Sequence, residues 1–312
     1  MRARSCPSVP PSTTAAEPEV VQLEQWFGPV EGEAALSRLG EAAARVRSEV
    51  SYLRAEVGDL GPLAGIGKVP ADGTWLDCGS FVSDPDWVEA VIGACGVRLG
   101  TSDPVVAASL FVQNYSYRVL TLAIACMTTS GVVPDSAASS MAITLVGGRP
   151  AAVGYREPRA LVLSDRHTSP AVALGDGTAA EAGCSYIVAR GLDEHLAVLV
   201  ASTRERIKVG ARLLWGNVAA SAAVAFRTME GCLGPWVVDI GEGFFERAPA
   251  ELQGLGSFLI LEHAGRRGWY WERTNCCLYD RLPGNVVCSD CSRTPAAERR
   301  AAYLASLASP GT

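Results

Sequence analysis

The stretch Asp103-Pro-Val-Val-Ala-Ala-Ser-Leu-Phe-Val-Gln-Asn-Tyr-Ser-Tyr-Arg-Val-Leu-Thr-Leu-Ala-Ile-Ala-Cys-Met-Thr-Thr-Ser-Gly131 reads as one long, mostly apolar helix. Asp103 is a side-chain N-cap with Pro104 in the first turn, and Gly131 suits the left-handed residue that ends a helix. Three short β-prone runs follow, Ala142–Val146, Ala151–Tyr155 and Ala160–Leu163, set apart by Gly147-Gly148 and by Glu157-Pro158. A long helix feeding a β-rich stretch, with helical segments on both sides, predicts an α+β fold. The helix is not a membrane span. Gln113, Asn114, Ser116 and Arg118 interrupt it, and a span needs about 20 apolar residues.

Upstream, Asp84-Pro85 repeats the same N-cap device, and Gly58–Gly73 is a Gly/Pro-rich linker. Residues 31–57 read as an amphipathic helix, with Leu36, Leu39, Ala43, Val46, Val50, Leu53 and Val57 alternately three and four apart. With only about three heptads, it is expected to pack on its own domain rather than to form a coiled coil. Residues 1–30 are assigned to a disordered or poorly ordered tail. No apolar run lies behind Arg2 and Arg4 to make a secretory signal, nor one before Cys6 to make a lipid anchor. Downstream, Asp193–Ile207 and Val209–Arg227 read as helices, Gly241-Glu242-Gly243 as a loop, Ala250–Leu261 as a helix, Gly268–Arg273 as a strand and Ala296–Leu307 as a last short helix.

The chain has 312 residues, 48% of them hydrophobic and 19% charged, which is a globular mixture with ample core. The formal charge of −6 gives no basic footprint for nucleic acid. There is no 20–50-residue repeat, and neither G-x-G-x-x-G nor G-x-x-x-x-G-K-[ST] occurs where a nucleotide would need it. A cytoplasmic location is expected, where clustered cysteines favour metal over disulfides.

Four of the ten cysteines lie in one segment, Arg273-Thr-Asn-Cys276-Cys277-Leu-Tyr-Asp-Arg-Leu-Pro-Gly-Asn-Val-Val-Cys288-Ser-Asp-Cys291, a C-C-x10-C-x2-C pattern. The other six are scattered singly, as core cysteines are. Adjacent Cα atoms are about 3.8 Å apart, below the disulfide range of about 4.4–6.8 Å, so Cys276 and Cys277 do not pair. Structural zinc is usually held by two C-x2–4-C halves, and only Cys288-x-x-Cys291 has that form. Neighbouring side chains of an extended chain point to opposite sides, which suits a two-iron cluster better than a single ion. Pro283-Gly284-Asn285 is the turn that lets the halves converge. A Rieske centre needs two histidines, and His167, His195 and His263 are not beside the cysteines. All-cysteine ligation follows; spacing favours iron–sulfur and leaves zinc open.

The segment resembles the C-terminal signature of the FhuF-like ferric-siderophore reductases. Arg266-Arg267-Gly268-Trp269, Arg273, Leu278-Tyr279, Pro283-Gly284 and Cys288-Ser-Asp-Cys291 share in the likeness, as does the helix around Leu214-Trp215-Gly216-Asn217-Val218-Ala219. The resemblance covers roughly residues 75–295. A mixed helical and β-rich body is expected at 31–261, with a small C-terminal cluster-binding segment at 262–312 packed on it. The implied group is a [2Fe–2S] cluster on Cys276, Cys277, Cys288 and Cys291, and the implied activity is one-electron reduction of imported ferric siderophores, hydroxamates among them. A ferredoxin or flavoprotein reductase would supply the electron. No catalytic residue beyond the cluster is expected, nor any nucleic-acid partner, and only peripheral membrane contact is left open. Arg266, Arg267, Trp269, Tyr279 and Arg281 are candidates for docking, and Arg273 for tuning the cluster. The alternative for these residues is solvated charge and core aromatics, since Glu262–Arg300 holds seven arginines against five acids. The alternative functions are a non-enzymatic electron carrier or redox sensor, and a zinc-stabilised binding protein.

Overall fold

The computed structural model describes residues 28–50, 53–164, 168–175, 177–263, 265–288 and 290–308. Cys6, His167 and all but the last few residues of the expected tail lie outside them. Gly28–Glu31, which straddles the end of that tail, is a strand, β1. Next come α1 (Gly32–Glu49), β2 (Ala55–Val57), β3 (Trp75–Asp77), α2 (Cys78–Val82) and α3 (Pro85–Leu99). The central stretch is α4 (Pro104–Ser130), β4 (Val132–Pro134), β5 (Met141–Val146), β6 (Arg149–Tyr155) and β7 (Arg159–Val162). Then follow α5 (Pro170–Ala173), α6 (Thr178–Ile187), a π-helical stretch Val188–Leu196 and α7 (Ala197–Arg206). The chain continues through α8 (Ala211–Leu233), α9 (Trp236–Arg247), the strands β8 (Gly256–His263) and β9 (Arg266–Arg273), and α10 (Ala296–Ala308). The fold is α+β, as expected.

The caps read from sequence are in place. Asp84 accepts from the amides of Asp86 and Trp87, and Asp103 from those of Val105 and Val106. Gly131, at φ 62°, closes α4 in the left-handed conformation. The three β-prone runs are β5, β6 and β7. β5 and β6 form the antiparallel centre of a four-stranded sheet of order β2-β6-β5-β3, and β7 lies between β1 and β4 in a second sheet. α4 is buried along nearly its whole length and has its largest helix contact with α8. Small residues stand at that contact, with buried Ala220 beside Ser221, whose hydroxyl donates to the Gln113 carbonyl at 2.9 Å; in such contacts area removed from water stabilises at roughly 25 cal/mol per Å².

Tertiary pairing corrects several local expectations. The helix expected over 31–57 ends at Glu49, and Ala55–Val57 joins β6 in parallel instead. Its apolar stripe packs inside the domain, with Leu39, Ala43 and Val46 buried. Gly241-Glu242-Gly243 is not a loop but part of α9, where a bare Gly241 lets the Trp269 ring within 3.0 Å of where a Cβ would sit. The helix expected at Ala250–Leu261 is only a 3-10 turn at Ala250–Leu252, after which β8 pairs antiparallel with β9. Helix also begins before Asp193, at Thr178, and runs on through the π-helical stretch.

Cys78, Cys126 and Cys184 are core residues whose thiols burial pushes up to about 12. A polar network crosses the same core. His195, on the π-helical stretch, pairs with the Tyr115 hydroxyl at 2.8 Å and with the Ser136 carbonyl at 2.9 Å. Asp135 lies beside it, held by Arg190, the Ala137 amide and Ser140. Burial depresses His195 from 6.5 to about 4, so the folded state resists a proton that the unfolded chain accepts. Its contribution is complete above pH 6.5 and is lost as pH falls toward 4. Stability should therefore drop by about 2 kcal/mol from this group between pH 7 and 5. Urea titrations at the two pH values check this, with His195→Gln expected to show a correspondingly smaller drop.

Candidate metal centre

The four cysteines follow directly from β9. Thr274 still bonds back to the Leu255 carbonyl, and Asn275 then turns inward, its Nδ2 donating to the Leu213 carbonyl at the start of α8. Only glycine fits opposite: a Cβ on Gly216 would lie 2.0 Å from the Asn275 Oδ1. Arg212 adds bonds to the Gly254 carbonyl and to Thr274. The first turns of α8 thus fix where Cys276 begins.

After Cys277 the chain makes a tight turn through Leu278, the one non-glycine residue with positive φ among those described, at 66°. Single left-handed residues carry strain of about 1–3 kcal/mol. Here the turn aims successive amides at sulfur: Leu278 N–H donates to Cys276 Sγ at 3.3 Å and Tyr279 N–H to Cys277 Sγ. Such consecutive amides form an anion-binding nest. The Leu278 side chain packs with Val106 and Leu282 against α4. The expected turn at Pro283-Gly284-Asn285 is present, with Gly284 at φ 74° and the Asn285 amide bonded to the Leu282 carbonyl. It returns the chain so that Cys288 Sγ lies 3.9 Å from Cys277 Sγ. Cys291 follows through a bond from its amide to the Cys288 carbonyl, and buried Arg299 of α10 ties down the Cys291 and Thr294 carbonyls.

Behind the cysteines runs a buried polar chain. Arg273 donates to Asn217 Oδ1 at 2.7 Å, and Asn217 Nδ2 donates to the Ser109 carbonyl and hydroxyl oxygens at 2.8 Å each. Ser109 Oγ in turn donates to the Cys277 carbonyl at 2.7 Å. Strand β9, helices α8 and α4 and the cysteine loop are joined in one path. Arg273 is 2% exposed, makes no ion pair with a described residue, and its Nε has no hydrogen-bond partner.

The donor set fits an anionic cluster. Two thiolates on one tetrahedral ion with bonds of about 2.3 Å stand roughly 3.8 Å apart, close to the Cys277–Cys288 spacing. Hydrogen bonding with Cys288, the Tyr279 amide and the charge of Arg273 pull the Cys277 thiol down to about 6 against its burial. The same bond to Cys277, with burial, pushes Cys288 up. Burial pushes Cys276 up to about 11, and Cys291 acts on it electrostatically. No three His, Cys, Asp or Glu side chains among the described residues close on a point as ligands of a single ion would. Cys277 and Cys288 are the one pair of thiols in contact among the described residues, and the Arg273 guanidinium behind them, without an ion pair to a described residue, is a charge that an anionic group held there would balance.

The remaining candidates separate. Arg266 and Arg267 lie at the far end of β9, about 20 Å of strand from Arg273, with Arg266 bonded to the Leu307 carbonyl. Trp269 is core, stacked on Phe258 at 4.2 Å. Arg281 is on the surface, 3.9 Å from the Asp103 carboxylate, and Tyr279 is partly exposed. Among the described residues, Arg273 stands with the cysteines, together with Ser109, Asn217, Asn275 and Arg299, which the cysteine motif does not reveal. Ser109 and Asn217 do carry a signal, as polar residues set in otherwise apolar helical turns. Asn217→Ala should cost about 1.5–3 kcal/mol, the worth of a hydrogen bond to a buried charge; urea unfolding of the metal-free protein measures it.

The family model described as "Ferric iron reductase FhuF-like transporter" matches residues 109–251, from Ser109 on α4 to the turn after α9. No curated protein matches the chain. Among solved structures, ATP-bound aerobactin synthetase IucA from a hypervirulent pathotype of Klebsiella pneumoniae is similar at 16% identity and a TM-score of 0.45, over 65% of this chain and 43% of its own. Petrobactin biosynthesis protein AsbB from Bacillus anthracis str. Sterne is similar at 8% identity and a TM-score of 0.49, over 72% of this chain and 41% of its own. The chain spans less than half the length of either protein.

Proposed function

The chain belongs, through residues 109–251, to the FhuF-like family, and on that premise we propose that it is a one-electron ferric-siderophore reductase. The family ties it to siderophore-related iron metabolism. In our reading Cys276, Cys277, Cys288 and Cys291 hold a [2Fe–2S] cluster. The carrying observation is the path Arg273–Asn217–Ser109–Cys277, which runs from the matched helices into the cysteine loop.

A [2Fe–2S] cluster, when bound, supplies one electron at a time. The chain's own residues hold and bias it. The Leu278 and Tyr279 amides donate to ligand sulfurs, and hydrogen bonds to sulfur, charge and burial are the levers that set potential. Arg273 favours the more negative, reduced state. Hard hydroxamate or catecholate oxygens bind Fe³⁺ far better than Fe²⁺, so one electron loosens the chelate and frees the iron with no general acid or nucleophile. Three hydroxamates neutralise Fe³⁺, which suits a protein of net charge −6 better than a trianionic tris-catecholate. The electron comes from a ferredoxin or flavoprotein reductase in the cytoplasm. No helix among the described residues is long and apolar enough to cross a membrane.

Anaerobically purified protein should show visible absorption that dithionite bleaches and about two irons per chain; one zinc and no iron would refute the site. The reduced protein, mixed with ferric siderophores and an Fe²⁺ trap, should release Fe²⁺ from at least one of them. Release from none would leave an electron carrier and sink the reductase. Cys→Ser at any of the four positions should abolish the spectrum. Arg273→Gln should keep the ligands and move the potential to more negative values, read by spectroelectrochemical titration.

A further inference from the structure

An open cleft of about 260 Å³ lies beside the cysteine loop. One wall is α4, with Leu110, Asn114 and Tyr117, and the other is α8, with Val224; Arg149 at the start of β6 and Tyr279 of the cysteine loop also line it. Three features set this cleft apart. The first is its link to the cysteines. Tyr279 lines the cleft with its side chain while its amide donates to Cys277 Sγ. Leu99 and Leu110 of the cleft pack on the same Val106–Leu278–Leu282 cluster as Cys276 does. A molecule in the cleft therefore touches the residue that bonds a ligand sulfur.

The second feature is an unmet acceptor. Asn114 Oδ1 is buried with no hydrogen-bond partner, and an unsatisfied buried acceptor costs about 1–3 kcal/mol. An occupant with an N–H or O–H, met by a turn of the Asn114 side chain into the cleft it lines, would remove that cost. The third is composition. Apolar walls with a few placed polar groups are what small-molecule sites present, and Arg149 is an exposed cation without an ion pair to a described residue. One cation among apolar walls matches a chelate of low net charge whose alkyl spacers lie on Leu110 and Val224. At this volume the cleft takes one face of such a chelate rather than enclosing it.

We infer that this α4–α8 cleft is the docking site of the ferric chelate, with Asn114, Arg149 and Tyr279 as its polar contacts. The inference rests on the reductase reading above and locates its substrate.

The test separates binding from reduction by using the gallium(III) complex of a linear trihydroxamate, which cannot be reduced. Equilibrium dialysis against the cluster-loaded full-length protein measures its affinity for wild type, Val224→Trp, which fills the cleft from an exposed position, and Arg149→Glu. Both variants should weaken binding at least tenfold with the visible spectrum unchanged. Val172→Trp, at a still more exposed position outside the cleft, should bind as wild type does. Fe²⁺ release from the ferric complex is followed in parallel. Wild-type affinity in both cleft variants overturns the inference. If wild type releases Fe²⁺ at the same time, the reductase reading survives and only the location falls. Failure of wild type to bind overturns the inference too, and its Fe²⁺ release then decides whether the reading falls with it.

Discussion

Everything around the cysteines depends on one buried hydrogen-bonded charge, the Arg273 guanidinium on Asn217 Oδ1. A charge in the core is tolerated only where it is bonded and balanced. Arg273 has the bond and, among the described residues, lacks the balancing anion. Asn217 orients it, Ser109 orients Asn217, and Ser109 reaches the cysteine backbone. The fold positions these groups before any metal arrives. Small residues let α8 lie close on α4, and Gly216 admits Asn275 so that the chain leaves β9 at the right point. The helices hold the cysteine loop as much as they hold each other.

The legible parts of the sequence were those governed by local chemistry. Asp-Pro starts, the Gly131 stop and the turns between β5, β6 and β7 are fixed by their own side chains, and each stands where expected. The turn at Pro283-Gly284-Asn285 belongs with them. Misread segments were decided by distant partners. Ala55–Val57 continues an apolar helical stripe but finds a strand edge on β6. Phe258 and Leu261 sit at helical spacing, yet aromatic packing of Phe258, stacked on Trp269 and tilted against Trp271, draws the segment into a hairpin.

The same division holds at the site. The C-C-x10-C-x2-C spacing pointed to a metal because adjacent cysteines have few other uses in a reducing setting. Nothing local in Ser109 or Asn217 reveals a link to residues over a hundred positions away; only the packing of α4 on α8 brings them together. Arg273 was legible by proximity, whereas Arg266 and Arg267, further back along the same segment, are carried off along an extended strand.

The tie between Ser109 and the Cys277 carbonyl bears on how the site is filled. In small zinc modules ligation and folding are one event. Here bonds from Ser109 and Arg299 to cysteine carbonyls hold the loop against a large prebuilt core, so the fold itself places the cysteines. Cys277 and Cys291 are buried at 2% and 1% exposure while Cys276 and Cys288 remain partly open. A reagent in solvent therefore reaches the Cys276 and Cys288 thiols before those of Cys277 and Cys291.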